Sequence, residues 1–238
     1  IFLYDNVINV ELTLCYSIFS DYPAIARNVR FLNKGDNTVT LKRAMSVSID
    51  LPDSDFELIH LSGAWGRERH IKCRRLEQGI QSVYSMRGIS SAEHNPFIVL
   101  KRPTADEFTG EVYGFSLIYS GNHIAQVEVD THDTTRVMMG IHPDTFEWPL
   151  CKGETFQTPE AVMTYSDEGL NKMSQTYHSL YRKRLVRGLW RDKPRPILIN
   201  NWEATGMDFT EEKILSIAKV GKELGIEMFV LDDGWFGK

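Results

Sequence analysis

The chain has 238 residues, 42% of them hydrophobic and 25% charged, and a formal net charge of -5. This is the composition of a soluble globular protein with one large domain or two smaller ones, and its acidic balance argues against a duplex nucleic-acid binder, which shows a basic face. No apolar run is long enough to span a bilayer, and three widely spaced cysteines, Cys15, Cys73 and Cys151, point to reduced thiols in a cytoplasmic protein rather than to a disulfide framework or a zinc site.

The chain opens at Ile1 rather than at a methionine and closes at Lys238, just past a strand-end loop. Both ends read as cut from something larger, and an N-terminal targeting signal would be out of sight. From Ile1 to about Tyr165 the pattern is β. Residues 38–50 alternate, with Val39, Leu41, Met45, Val47 and Ile49 on one side and Asn33-Lys-Gly-Asp-Asn37 as the turn before them. Further strands are expected at 56–61, 79–86, 97–101, 111–119, 124–130, 136–141 and 156–165. Short strands at turn-punctuated intervals indicate a sandwich. From Ser166 to about Leu189 the period becomes helical, through Leu170, Met173, Tyr177, Leu180, Tyr181 and Leu185, with Ser166 as a possible cap. Arg182, Lys183, Arg184 and Arg187 fall near the negative end of that helix, where cations are favoured, so the cluster reads as a solvated face rather than a nucleic-acid patch. Lys193-Pro-Arg-Pro196 breaks the helix.

The last segment reads as strand, loop, helix, strand, acidic loop. Pro196-Ile-Leu-Ile-Asn200 is a short apolar run. Asp208 and Glu211 have the spacing of a reciprocal cap, Ile214, Ile217, Ala218 and Leu224 follow helical spacing, and Gly225 marks the stop. Ile226-Glu-Met-Phe-Val-Leu231 then runs into Asp232-Asp233-Gly234-Trp235. Such apolar runs suit strands of a parallel sheet, whose ligands lie beyond the carboxyl ends of the strands. Asn200-Asn-Trp202 and Asp232-Asp-Gly-Trp235 both fall at that end. The expected organisation is therefore mainly β followed by α/β: a β domain over 1–165, a linking helix over 166–194, and the first β-α-β of a larger α/β domain over 195–238. Two strands and one helix cannot close a core alone, so either a partner chain or further strands must cover them.

Asp232 and Asp233 read either as a strand-ending Asp-Gly turn or as a site. Adjacent carboxylates suit the holding of several sugar hydroxyls better than an acid–nucleophile pair, which in a retaining glycosidase faces across the scissile bond at roughly 5–5.5 Å. Trp202 is either a core indole or a sugar platform. Trp65, in Leu61-Ser-Gly-Ala-Trp-Gly-Arg-Glu-Arg69, lies among small residues that indicate an exposed loop, for sugar, interface or packing. His70, His94, His123, His132 and His142 sit singly and read as hydrogen-bonding residues rather than metal ligands. Ser90-Ser91 lacks the nucleophile-elbow pattern, and Gly110-Glu-Val-Tyr-Gly114 follows no phosphate-loop spacing.

Arg195-Pro-Ile-Leu-Ile-Asn-Asn-Trp-Glu-Ala204 and Met228-Phe-Val-Leu-Asp-Asp-Gly-Trp-Phe-Gly237 closely resemble the bacterial α-galactosidases of glycoside hydrolase family 36. Leu61 to Arg69, Gly110 to Gly114, His94-Asn-Pro-Phe97, Ser120-Gly-Asn122, Gln126-Val-Glu-Val-Asp130 and Phe156-Gln-Thr-Pro-Glu160 extend the likeness along the chain in order. The resemblance implies an N-terminal β-supersandwich followed by a (β/α)8 TIM barrel. It also implies retaining hydrolysis of terminal α-1,6-linked galactose from melibiose- and raffinose-type oligosaccharides, without metal or other cofactor, in a homotetramer. It makes Asp232 and Asp233 the pair holding hydroxyls of the bound galactose, Trp202 the indole near that subsite, and Trp65 the aromatic that the sandwich sends to the pocket mouth. Thr205-Gly206-Met207 departs from the aromatic residue usual after the first motif. The nucleophile and the acid/base of the family are aspartates on later barrel strands, and no residue here matches either motif, so residues 1–238 alone are expected to be inactive. Two other readings are a galactosyltransferase of related fold and a non-catalytic sugar-binding or assembly protein.

Overall fold

The computed structural model of the chain describes residues Ile1–Phe236; Gly237, the last residue of the second motif, and Lys238 lie outside the described residues. Fifteen strands come first: β1 (Phe2–Asp5), β2 (Val10–Ile18), β3 (Ala24–Asn33), β4 (Val39–Leu41), β5 (Met45–Leu51), β6 (Glu57–Ala64), β7 (Arg67–Arg75), β8 (Gly79–Ser85), β9 (His94–Lys101), β10 (Val112–Ile118), β11 (His123–Val129), β12 (Thr135–Ile141), β13 (Trp148–Leu150), β14 (Thr155–Gln157) and β15 (Glu160–Ser166). They are followed by α1 (Gly169–Leu180), β16 (Leu198–Asn200), the single turn α2 (Trp202–Thr205), α3 (Glu211–Glu223) and β17 (Met228–Val230). The chain divides into two compact units, one over Ile1–Tyr181 and a second from Arg182 onward.

The first unit is a sandwich. Its large sheet runs β1-β2-β3-β15-β10-β9-β6-β7, with β14 also paired to β3, and its small sheet runs β5-β12-β11-β8. Alternation decides which side chains meet. Leu58, Ile98, Leu100 and Phe115 of the large sheet pack against Val47, Val83, Val127, Val137 and Met139 of the small one, with Phe56 sealed among them. Each large apolar side chain buried this way contributes on the order of 2–3 kcal/mol. The other face of the large sheet is covered by α1, through Val99, Val112 and Val162 against Met173, Tyr177 and Leu180. Tyr177 keeps its hydroxyl satisfied there by donating to the Val162 carbonyl at 2.9 Å.

Several boundaries differ from the sequence expectation, each for a local reason. The strand expected over 38–50 is two strands: β4 pairs with β13 and β5 with β12, and Ala44 turns inward between them. The stretch 156–165 likewise divides into β14 and β15, which pair with different parts of β3. The helix expected to reach Leu189 ends at Leu180 and continues as a wider turn over Tyr181–Leu185. Tyr181 is held to the large sheet, donating to Ser116 Oγ at 2.6 Å, and none of the residues of the wider turn is buried. Ser166 does not cap this helix. It ends β15 and its hydroxyl accepts from the Glu168 amide.

The second unit is the parallel β-α-β expected for the start of a barrel. β16 and β17 pair in parallel, Leu198 with Met228, Ile199 with Phe229 and Asn200 with Val230, and α3 connects them. Its cap is Thr210, not Asp208: Thr210 is extended and its hydroxyl accepts from the Lys213 amide, whereas Asp208 lies two residues further out with its carboxylate in solvent. Gly225 follows the helix end, as expected. Among the described residues, no helix is long and apolar enough to cross a membrane.

Candidate functional site

The parallel register of β16 and β17 sets Asn200 beside Val230, so the residues that follow each strand emerge side by side. Asn200 Nδ2 donates to Asp232 Oδ2 at 2.6 Å, and Asn200 Oδ1 accepts from the Trp202 amide at 3.2 Å. One side-chain amide thus ties the Asp232 carboxylate to the backbone that carries Trp202. Asn201 works from beneath. It is 0% exposed, its Oδ1 accepts from the Asp232 amide at 2.9 Å, and its Nδ2 donates to Thr205 Oγ1 at 3.0 Å. A buried amide whose hydrogen-bonding ends are both used fixes the geometry of the groups around it.

The acid pair is held open to solvent. Asp232 is half-buried and Asp233 exposed. The Asp233 amide donates to Asp232 Oδ1 at 2.8 Å, so both oxygens of Asp232 accept one bond from the protein. A carboxylate offers about four lone-pair positions, which leaves roughly two on Asp232 for hydroxyl donors. Among the described residues no arginine or lysine pairs with either carboxylate, so their acceptor capacity is not taken up by local cations. Gly234 closes the turn at φ +99°, where a Cβ would stand 3.0 Å from the Phe209 ring and 3.3 Å from Met207 Cα. The Asp-Gly pair is therefore a turn, and that turn is what presents the carboxylates.

Trp202 is 39% exposed at the start of its helical turn, and Trp235 and Phe236 are exposed after the acidic pair. The structure thus gathers Asn200, Asn201, Trp202, Asp232 and Asp233 at one strand-end cluster. Sequence reading placed the two amides on this rim but gave them no task; the signal was an Asn-Asn doublet ending one buried-type strand opposite an Asp-Asp doublet ending the next. Trp65 belongs to the sandwich unit. It occupies the turn between β6 and β7 and is 94% exposed.

The histidines belong to the first unit, and among the described residues no group of three or more His, Cys, Asp or Glu is placed to hold a metal ion. His60 and His94 flank Ser62 in the large sheet. His123 is fully buried in the small sheet, neither of its ring nitrogens reaches a hydrogen-bond partner, and burial pushes its pKa down to about 4.

Residues 1–151 match the glycosyl hydrolase family 36 N-terminal domain, and residues 155–238 match melibiase. The chain is 58% identical over 238 residues to α-galactosidase AgaA of Geobacillus stearothermophilus, a comparison covering 100% of this chain and 33% of that protein. Crystal structures of variants of that enzyme, one in complex with stachyose and one with raffinose, match at TM-scores of 0.93 and 0.94 with 58% identity, covering 99% and 100% of this chain and 33% of each of theirs. The chain spans about a third of the length of the curated relatives it matches. With one match across the sandwich and another across the strand-end cluster, the chain belongs to glycosyl hydrolase family 36.

Proposed function

We propose that the whole protein is a retaining α-galactosidase that releases terminal α-1,6-linked galactose from raffinose-type oligosaccharides, and that Asp232, Asp233 and Trp202 help to form its galactose site. The observation that carries this reading is the Asn200–Asp232–Asn201 arrangement: a carboxylate held by the Asn200 amide, its backbone held by Asn201, left with free acceptor positions and paired with no cation among the described residues. Charge-assisted hydrogen bonds from sugar hydroxyls to such a group are short and strong, and an indole half-open to solvent offers an apolar face for a sugar ring. Both acids stand on adjacent residues, so they serve as hydroxyl holders; bond breaking belongs to a carboxylate pair that faces across the scissile bond. AgaA, named an α-galactosidase, holds stachyose or raffinose in its crystal structures, which supports the substrate class.

In this reading Trp65, presented by the sandwich, is a second sugar platform. A homotetramer in the cytoplasm completes it, the location supported by Cys15, Cys73 and Cys151, all of which are free thiols. The test is product analysis with the whole protein on raffinose. Free galactose appearing first as the α-anomer supports the proposal. Galactose transferred to an acceptor with little free sugar identifies a transferase instead, and no turnover at all contradicts both.

A further inference from the structure

We propose that Ser62, His60 and His94 form a clasp at the root of the β6–β7 hairpin that positions the Trp65 indole, which makes Ser62 a positioning residue for sugar binding; this rests on the reading of Trp65 as a sugar platform. An indole left almost wholly in solvent at a hairpin tip gains affinity for a ligand only if the hairpin is already ordered, because ordering it on binding subtracts from the binding free energy. The hairpin needs a rigid root, and the backbone ladder is interrupted there. The register of β6 shifts against β9 between His60 and Ser62, and against β7 between Ser62 and Ala64. Ladder pairing is therefore interrupted on both sides of β6 within residues 60–64, with Ser62 at the shared boundary.

Two other devices replace it. Gly63 packs against the returning strand so closely that a Cβ would stand 2.3 Å from the Arg67 carbonyl oxygen. Its amide donates to the Glu93 carbonyl at 2.9 Å, and Glu93 is itself gripped by Arg87 through Nη2 at 2.6 Å and Nε at 3.1 Å. The second device is the clasp. Ser62 Oγ lies 2.8 Å from His60 Nδ1 and 3.1 Å from His94 Nδ1, a side-chain bridge from β6 to β9 where the backbone register slips. With one proton and two acceptor positions, Ser62 uses its hydroxyl fully across the two rings when it donates to one and accepts from the other, which gives the two imidazoles opposite tautomers at Nδ1.

That pattern requires the accepting ring to be neutral. Burial is the main influence holding His60 and His94 below the usual imidazole range; Arg74 and Lys72 of β7 add to it at His60, and at His94 Glu93 opposes it while Arg74 adds to it. Behind them, buried His123 of β11 also feels His94 and His142. Protonating the accepting ring turns its Nδ1 into a donor. The Ser62 proton then loses its acceptor, and a cation forms beside Arg74 with the second ring centred 6.0 Å away.

The test uses the whole protein on raffinose. Ser62→Ala is expected to raise KM about 3- to 10-fold, the range of one hydrogen bond, with kcat within about twofold. Ser62→Thr keeps the hydroxyl and should recover most of the loss. Trp65→Ala should raise KM at least as far, and adding Ser62→Ala to it should bring no further loss. The ratio of KM between Ser62→Ala and the parent should shrink toward one as pH falls below the usual imidazole range, where protonation of the accepting ring opens the parent's own clasp. Amide exchange at residues 64–67 is read in parallel: faster in Ser62→Ala, near the parent in Ser62→Thr, unchanged in the remaining strands. A parent-like KM in Trp65→Ala overturns the platform and the clasp together. Loss of affinity in Trp65→Ala beside none in Ser62→Ala, or additive losses in the double variant, overturns the clasp and leaves the platform standing.

Discussion

The sandwich and the β-α-β unit are built from similar material, apolar strands and amphipathic helices, and bury it to different extents within residues 1–236. In the sandwich, two sheets and a helix cover one another, and Phe56, Leu58, Leu100 and Val112 are closed off from solvent. From Arg182 to Phe236, the buried residues among those described are Asn201 and Gly221, while Leu215, Val220, Leu224 and Met228 stay well exposed. The first unit is ordered by apolar burial, so its chemistry is confined to edges and turns such as the Trp65 hairpin. The second is ordered at its strand ends by side-chain amides, and those amides hold the proposed sugar-binding acids. Within these residues, packing orders the sandwich and side-chain amides order the strand ends of the second unit.

Substitutions can break this contrast, the largest effect coming first. Phe56→Ala in the 238-residue chain should destabilise the sandwich by about 3–5 kcal/mol, because it leaves a cavity at the centre of the two sheets; chemical denaturation measures it. Acid should act on the same unit through His123. Its folded pKa of about 4 lies below the ordinary value of 6.5, so the unfolded chain binds the proton first. The stability it contributes is full above about pH 6.5 and drains away as pH falls toward 4, on the order of 3 kcal/mol in all. His123→Leu should flatten that slope in denaturation midpoints taken across the range.

Within the second unit the effects are smaller and local. Gly234→Ala forces a left-handed backbone on a residue with a Cβ and presses it on Phe209, a cost of about 1–2 kcal/mol confined to the acidic turn. Faster amide exchange at residues 232–235, with the sandwich unchanged, is the expected sign. Leu224→Ala should shift stability by less than about 0.5 kcal/mol in this chain, since Leu224 is 77% exposed. A loss comparable to that of Phe56→Ala would show that Leu224 is packed in this chain as Phe56 is.

How much of this was legible in the sequence follows from the same physics. Strands that bury apolar residues announced themselves: β8, β10, β11 and β12 were readable to within a residue or two. β7 was not, because it is an edge strand exposed along its whole length, and Arg67 to Arg75 carries charges where a buried face would carry valines. β1, β2 and β3 were covered only by the general β reading, since β1 is exposed throughout and β2 and β3 show little regular alternation in burial. At the site, the Asp-Asp and Asn-Asn doublets were visible as strand-end residues. Their pairing was not, because it depends on the β16–β17 register, a long-range fact that no local pattern encodes. Ser62, His60 and His94 illustrate the same limit: read singly along the chain, the histidines had no partner, and only the fold brings His94 across from β9.

The central claim, that Asp232 is a sugar-holding carboxylate oriented by strand-end amides, is tested most directly by Asp232→Asn in the whole protein, with kcat/KM on raffinose and the melting temperature measured together. Asparagine keeps the shape but offers one acceptor end where Asp232 accepts from both Asn200 and the Asp233 amide, and it turns charge-assisted bonds to sugar into neutral ones. A fall in kcat/KM of roughly 100-fold with little change in melting temperature is the predicted result. An unchanged kcat/KM would contradict the account.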